Sequence, residues 1–241
     1  MSRGERLSVT SLMEQTRGGL IVSCQAYEGE PLHRPGVMPL FALSAEIGGA
    51  RAVRLEGVDN IREGVGLLRV PVIGIVKDPR REMVITATLE EAVGVARAGA
   101  DVVAVDGTRR ERPDGHSLSA VCQALHDEWG VAVMADCGSL EDAVAAAEAG
   151  ADVLGTTLAG YAGARPRTDG PDLELVHLMS THCGRPVIAE GRVRTPAEAA
   201  AALDAGAHAV CVGGAITHPA SLTSQFVRAL TTRSASSGAR P

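Results

Sequence analysis

Three stretches of this chain repeat one grammar: ARAGADVVAVDG at 96–107, AEAGADVLGTTL at 147–158 and LDAGAHAVCVGG at 203–214. In each, the end of a helix meets Gly-Ala and then a run of small apolar residues. The junction glycines (Gly99, Gly150, Gly206) suit the left-handed residue that closes a helix, and the Val-rich run suits a strand covered on both faces. A looser copy, IGGARAVRLEG, occupies 47–57. Helix-start signals lie between the copies. Thr88-Leu89-Glu90-Glu91 and Thr195-Pro196-Ala197-Glu198 have capping-box spacing, the second with proline at the first helical position, and Ser139-Leu140-Glu141-Asp142 is a near match.

Carried through the chain, this grammar predicts eight strands, at 19–25, 52–57, 72–77, 101–106, 132–137, 153–158, 186–190 and 209–213, with helices between them. Strict alternation demands a parallel sheet, and eight units favour closure into a single α/β barrel, the (β/α)8 TIM barrel, over an open sheet. The 241 residues are about what one such barrel needs, so one domain over 18–231 is expected. Outside it fall an N-terminal segment, 1–17, expected as a helix capping the barrel floor, and a small, polar tail, 232–241, expected to be disordered. The Gly/Pro-rich stretch AGARPRTDGPD, 162–172, is expected to be a mobile lid.

Composition narrows the function. A net charge of −6 gives no basic field for nucleic acid, and 2% aromatic residues offer few platforms for stacking bases, so no nucleic-acid partner is expected. No apolar run approaches the roughly 20 residues a bilayer requires, and the first residues lack a signal-peptide core; a cytoplasmic location and no membrane partner follow as expectations. Five cysteines, an odd number, suit reduced thiols better than a disulfide framework. The seven histidines show no ligand spacing, so no metal site is expected, and no Ser-His-Asp or Cys-His set falls at the strand ends.

In barrels of this kind the site lies at the carboxyl ends of the strands, so the polar residue that ends each apolar run is informative. These are Ser23 and Gln25, Arg54 and Glu56, Lys77, Asp106, Asp136, Thr156 and Thr157, Glu190 with Arg192, and Gly213 with Gly214. Lys77 and Glu190 belong to the third and seventh strands, which face each other across a closed mouth. A partly desolvated lysine near Arg54 could serve as a general base, with Glu190 opposite. The alternatives are structural: Lys77 paired with Asp106 or Asp136, and Glu190 paired with Arg192. Asp136 suits positioning of a hydroxyl or ammonium. AEGR (189–192) and VGGAIT (212–217) occupy the place where such barrels hold phosphate on backbone N–H groups, which implies a phosphorylated small substrate.

GLIVSCQA (19–26), PVIGIVKD (71–78), ITAT (85–88), GTTLAGY (155–161), VIAEGR (187–192) and AVCVGGAIT (209–217) occur in this order, and the chain from about 18 to 228 resembles the N-acylglucosamine-6-phosphate 2-epimerase family, also called N-acetylmannosamine-6-phosphate 2-epimerase. The resemblance implies a cofactor-independent isomerase, usually a homodimer, that epimerises C2 of N-acyl-mannosamine 6-phosphate through an enediolate in amino sugar and sialic acid breakdown. It implies Lys77 and Glu190 as catalytic residues, Gln25, Arg54, Asp136, Thr157 and Tyr161 as substrate-binding, and Gly191, Arg192, Gly213 and Gly214 around the phosphate of a phosphorylated N-acyl amino sugar. The family commonly has Ser where Gly214 stands and Arg where His218 stands, which shifts phosphate recognition here toward backbone N–H groups. A Schiff-base lyase or synthase using Lys77, and a non-catalytic sugar-phosphate-binding barrel, are the rival readings.

Overall fold

The structure, a computed structural model, describes residues 7–237. Eight parallel strands, β1 (Leu20–Cys24), β2 (Ala52–Glu56), β3 (Val72–Ile75), β4 (Val102–Asp106), β5 (Ala132–Asp136), β6 (Val153–Gly155), β7 (Val187–Glu190) and β8 (Ala209–Val212), close into a barrel in chain order. Helices α2 (Val37–Ile47), α3 (Val58–Leu67), α4 (Leu89–Arg97), α5 (Leu118–Trp129), α6 (Leu140–Glu148), α7 (Leu173–His182) and α8 (Pro196–Asp204) follow β1 to β7 in turn. The start signals act as their spacing predicts. Thr88 and Thr195 each close a capping box with the glutamate three residues on, and Ser139 accepts from the Asp142 N–H. Gly99, Gly150 and Gly206 take φ of 98, 103 and 105°, so each helix turns into the next strand without Cβ strain.

Period-two alternation stacks the interior in layers. Ile21, Ala52, Ile73, Val102, Ala132, Val153, Ile188 and Ala209 fill the lower barrel with Leu12 of α1 (Val9–Thr16) beneath them. Two residues further along the same inward face stand Ser23, Arg54, Glu190 and Cys211, and a third layer brings Gln25, Glu56, Lys77, Asp106 and Asp136 toward the mouth. Apolar packing below and charge above thus follow from one register.

Close packing of helix on strand depends on Gly74 of β3. A Cβ there would sit 2.5 Å from Val95 Cγ1 and 2.9 Å from both Ala100 Cβ and Ile61 Cδ1. Gly74→Ala is expected to lose about 1–3 kcal/mol of stability by overpacking, read as a lower midpoint in denaturant unfolding.

Two strand ends differ from the sequence expectation by more than one residue. β3 ends at Ile75 and β6 at Gly155, leaving Lys77, Thr156 and Thr157 beyond their strands. For β6 the cause is side-chain substitution for the ladder: Thr156 Oγ1 donates to the Glu190 carbonyl at 2.9 Å and accepts from the Glu190 N–H at 3.0 Å. After β8 a short helix α9 (Gly214–Thr217) leads into α10 (Pro219–Ser237). The stretch expected to be disordered is therefore helical through Ser237, because no helix breaker intervenes before Gly238. Residues 1–6 of the N-terminal segment and 238–241 of the tail lie outside the described residues.

Candidate active site

A cavity of about 570 Å³ opens at the carboxyl ends of the strands, with Lys77 in one wall and Glu190 in another. Gln25, Thr157, Gly191 and Gly213 also face it, so residues from β1, β3, β6, β7 and β8 converge, as their strand-end positions predict.

Below this cavity lies an ion cluster. Arg54, fully buried, meets Asp136 through both terminal nitrogens, with Nη1 3.1 Å from Oδ1 and Nη2 on Oδ2, and Nη1 also donates to Glu190 Oε2 at 2.6 Å. Thr157 Oγ1 donates to Asp136 Oδ1 at 2.6 Å. Arg54 and Asp136 are thus not in the cavity wall, where substrate-binding residues were expected. The register puts Arg54 in the middle layer with Glu190, and Asp136, from the layer above, pairs with its guanidinium, so that together they hold Glu190. The two carboxylates raise the Arg54 guanidinium above its ordinary range despite burial.

Burial acts on the two walls in opposite senses, because it disfavours whichever form is charged. It pushes the Glu190 carboxyl up; Arg54 opposes this and the Asp136 charge adds to it. It pushes the Lys77 ammonium down, and the Arg54 charge adds to that, against the carboxylates of Glu190, Asp136 and Glu56. Neither structural pairing considered for these residues forms. Asp106 pairs with Arg110 at 2.7 Å and Asp136 with Arg54, and no ion pair joins Lys77 to either among the described residues. Lys77 Nζ instead lies 5.5 Å from the Tyr27 ring centroid.

Arg192, expected at a phosphate, lines the same cavity, forms no ion pair with Glu190 among the described residues, and spends its guanidinium on the loop after β6. It donates to the carbonyls of Ala159 at 2.7 Å and Gly170 at 3.1 Å, and to the Thr168 hydroxyl at 2.9 Å. The same loop is tied by Arg165 to Asp172. The stretch expected to be a mobile lid therefore carries two arginine anchors, which composition alone did not reveal. Tyr161 stands at the rim, its ring 4.8 Å from Arg167 and 5.5 Å from Arg192.

Gln25 donates to Ser23 Oγ at 2.6 Å, while its Oε1 is buried with no partner among the described residues. A buried acceptor without a donor is costly, so a ligand hydroxyl or amide N–H placed there would satisfy it. Gly213 and Gly214 open α9, whose first N–H groups have no carbonyl within the helix, and a Cβ on Gly214 would meet nothing within 4 Å. Sequence reasoning missed Tyr27 and Cys211. Tyr27 follows the VSCQA stretch directly, and Cys211 is the register partner of Glu190, a signal visible only once β7 and β8 are paired. Among the described residues no group of three or more His, Cys, Asp or Glu is placed to hold a metal, and no helix is long and apolar enough to cross a membrane.

An amine and a carboxylic acid across one cavity, over a buried cation, can take a proton from a carbon and return one. Several known proteins are close to this chain in sequence. Residues 38–232 match the family described as "NanE: Putative N-acetylmannosamine-6-phosphate epimerase". A putative N-acetylmannosamine-6-phosphate 2-epimerase of Cutibacterium acnes is 55% identical over 215 residues, covering 88% of this chain and 94% of its own. One from Caldanaerobacter subterraneus is 42% identical over 219 residues, covering 90% and 92%. The solved structure of the N-acetylmannosamine-6-phosphate 2-epimerase from Clostridium perfringens superposes with a TM-score of 0.87 at 36% identity, covering 95% of this chain and 99% of that one. With the barrel and its strand-end residues in place, these likenesses put the chain in the N-acetylmannosamine-6-phosphate epimerase (NanE) family.

Proposed function

We propose that this barrel epimerises C2 of N-acyl-D-mannosamine 6-phosphate to N-acyl-D-glucosamine 6-phosphate. The observation that carries the reading is the placement of Lys77 and Glu190 in opposing walls, each pushed by burial toward the protonation state that proton transfer at neutral pH requires. In the open-chain sugar the C2–H bond breaks, its proton passes to one group, and the electron pair moves to O1 of the aldehyde. Because C2 bears nitrogen, the intermediate is an enolate at O1. The second group then donates a proton to the opposite face of C2. Arg54 acts from beneath by holding Glu190 and adding positive field, and Asp136 holds Arg54. Gln25 Oε1 accepts from a substrate N–H or hydroxyl, and the phosphate lies on the backbone N–H groups at Gly191, Gly213 and Gly214.

Proton NMR of N-acetylmannosamine 6-phosphate with the protein in heavy water tests this. The expected result is the 2-epimer with deuterium at C2, and an unchanged substrate spectrum would sink the reading. Borohydride trapping of Lys77 to a substrate carbonyl would favour the lyase or synthase alternative instead.

A homodimer fits the same structure. Most helices pack on their neighbours around the barrel, whereas α10 makes its principal contacts with α9 and exposes Phe226, Val227 and Leu230 at 73, 56 and 68%. A second copy covering α10 would bury that apolar face. Leu230→Asp is expected to shift sedimentation toward monomer and lower turnover, because Ser221 and Gln225 of α10 face the cavity. Free cysteines throughout, four of them buried, suit a reducing compartment such as the cytoplasm.

A further inference from the structure

The ITAT motif at 85–88 takes no part in the chemistry above, yet it abuts Lys77. β3 and β4 pair only at Ile73–Val102 and Gly74–Val103. Beyond that point residues 84–86 enter between them. Lys77 pairs with Ile85 in an antiparallel bridge, the Asp78 N–H donates to the Val84 carbonyl at 2.9 Å, and the Thr86 N–H donates to the Val76 carbonyl at 2.9 Å. On the other edge the Asp106 N–H donates to the Ile85 carbonyl at 3.1 Å. The wedge explains why β3 stops short of Lys77.

Thr86 is wholly buried with φ of 36°, a left-handed backbone that a β-branched residue seldom adopts. Its Oγ1 accepts from the Val76 N–H at 3.2 Å. Glycine would take this backbone more easily but would leave that N–H without an acceptor. Beneath it the buried Arg112 donates to the carbonyls of Thr86 at 3.2 Å, Ala87 at 3.1 Å, and Asp106. A guanidinium spent on three main-chain oxygens holds backbone in place. On the β2 side the Lys77 backbone and ammonium both lower the Glu56 carboxyl against the upward push of burial. The peptide carrying Lys77 is thus clamped by the wedge, and the clamp costs a strained threonine and a buried cation.

We propose that Thr86, held from below by Arg112, is a positioning residue whose hydroxyl fixes the Val76–Lys77 backbone and so aims the Lys77 amine into the cavity. The inference rests on Lys77 as a proton-transferring group. Thr86→Val keeps the shape and removes the acceptor; Thr86→Ala removes both with less crowding and decides the matter should the valine variant not fold; Thr86→Ser restores the hydroxyl. In steady-state epimerisation with C2-deuterated substrate, the valine and alanine variants are expected to lose roughly tenfold or more in kcat with KM within about twofold, and to show a larger isotope effect, because misaligned proton transfer becomes the slower step. Thr86→Ser should return kcat to within about threefold of the parent. A lower melting midpoint with kcat per folded molecule unchanged, or a rise in KM alone, would overturn the proposal. Lys77→Met run alongside separates the two claims: if that variant keeps turnover, the reading of Lys77 fails, whereas its silence beside a fully active Thr86→Val condemns only the brace.

Discussion

Lys77→Met is expected to leave a folded barrel that still binds the sugar phosphate but exchanges no C2 proton with heavy water. The methionine keeps the apolar stem against Tyr27 and removes the only amine in the cavity wall among the described residues. A positioned acid–base group contributes roughly 10²–10⁴ in rate, so kcat should fall by about that much while substrate affinity changes little. Binding is checked by calorimetry with product, and exchange by NMR. Loss of binding together with loss of rate would mean that Lys77 holds the substrate rather than moving its proton. The stability cost should be small, because burial and Arg54 already disfavour the Lys77 ammonium in the wall.

Arg54→Met is expected to damage both stability and turnover. It leaves Asp136 and Glu190 beside each other in the barrel interior with no cation between them. Breaking one member of a buried ion cluster costs about 3–5 kcal/mol, because the remaining charges cannot return to water. Denaturant unfolding should show that loss. The sign of its pH dependence follows from Glu190: burial already pushes its carboxyl up and without Arg54 it rises further above its unfolded value, so the deficit is largest above the unfolded carboxylate range and narrows as the pH falls and it protonates. Adding Asp136→Leu should recover much of the stability and none of the activity, since Glu190 would still lack its anchor. A single variant as stable as the parent across that range would show that the cluster is not held by charge pairing.

The fold was legible because its signals are local. Glycine closes each helix, threonine or serine opens the next, and the apolar runs between are too short for anything but strands. The candidate site was legible in part for a related reason: in runs of small apolar residues, Arg54, Lys77, Asp136 and Glu190 are conspicuous at the ends. Their heights in the barrel were not. Both faces of a parallel strand are apolar, so hydrophobicity does not mark the inward face, and only the register drops Arg54 below the cavity and brings Cys211 beside Glu190. Arg192 shows the same limit. Its neighbours in sequence suggest a phosphate, whereas its guanidinium reaches carbonyls more than twenty residues away.

Taken alone, the amino-acid sequence determined the eight alternating units, the closed parallel barrel they imply and the set of charged strand ends, since each of these depends on residues within a few positions of one another. Tertiary structure decided which of those charges meet: that Glu190 rests on Arg54, that Lys77 forms no ion pair among the described residues and is held by a wedge of chain from 84–86, and that α10 leaves Phe226, Val227 and Leu230 exposed. The physical reason is distance along the chain. Ion pairing, desolvation and clamping act between groups that closure of the barrel brings together from far apart, and no local pattern encodes them.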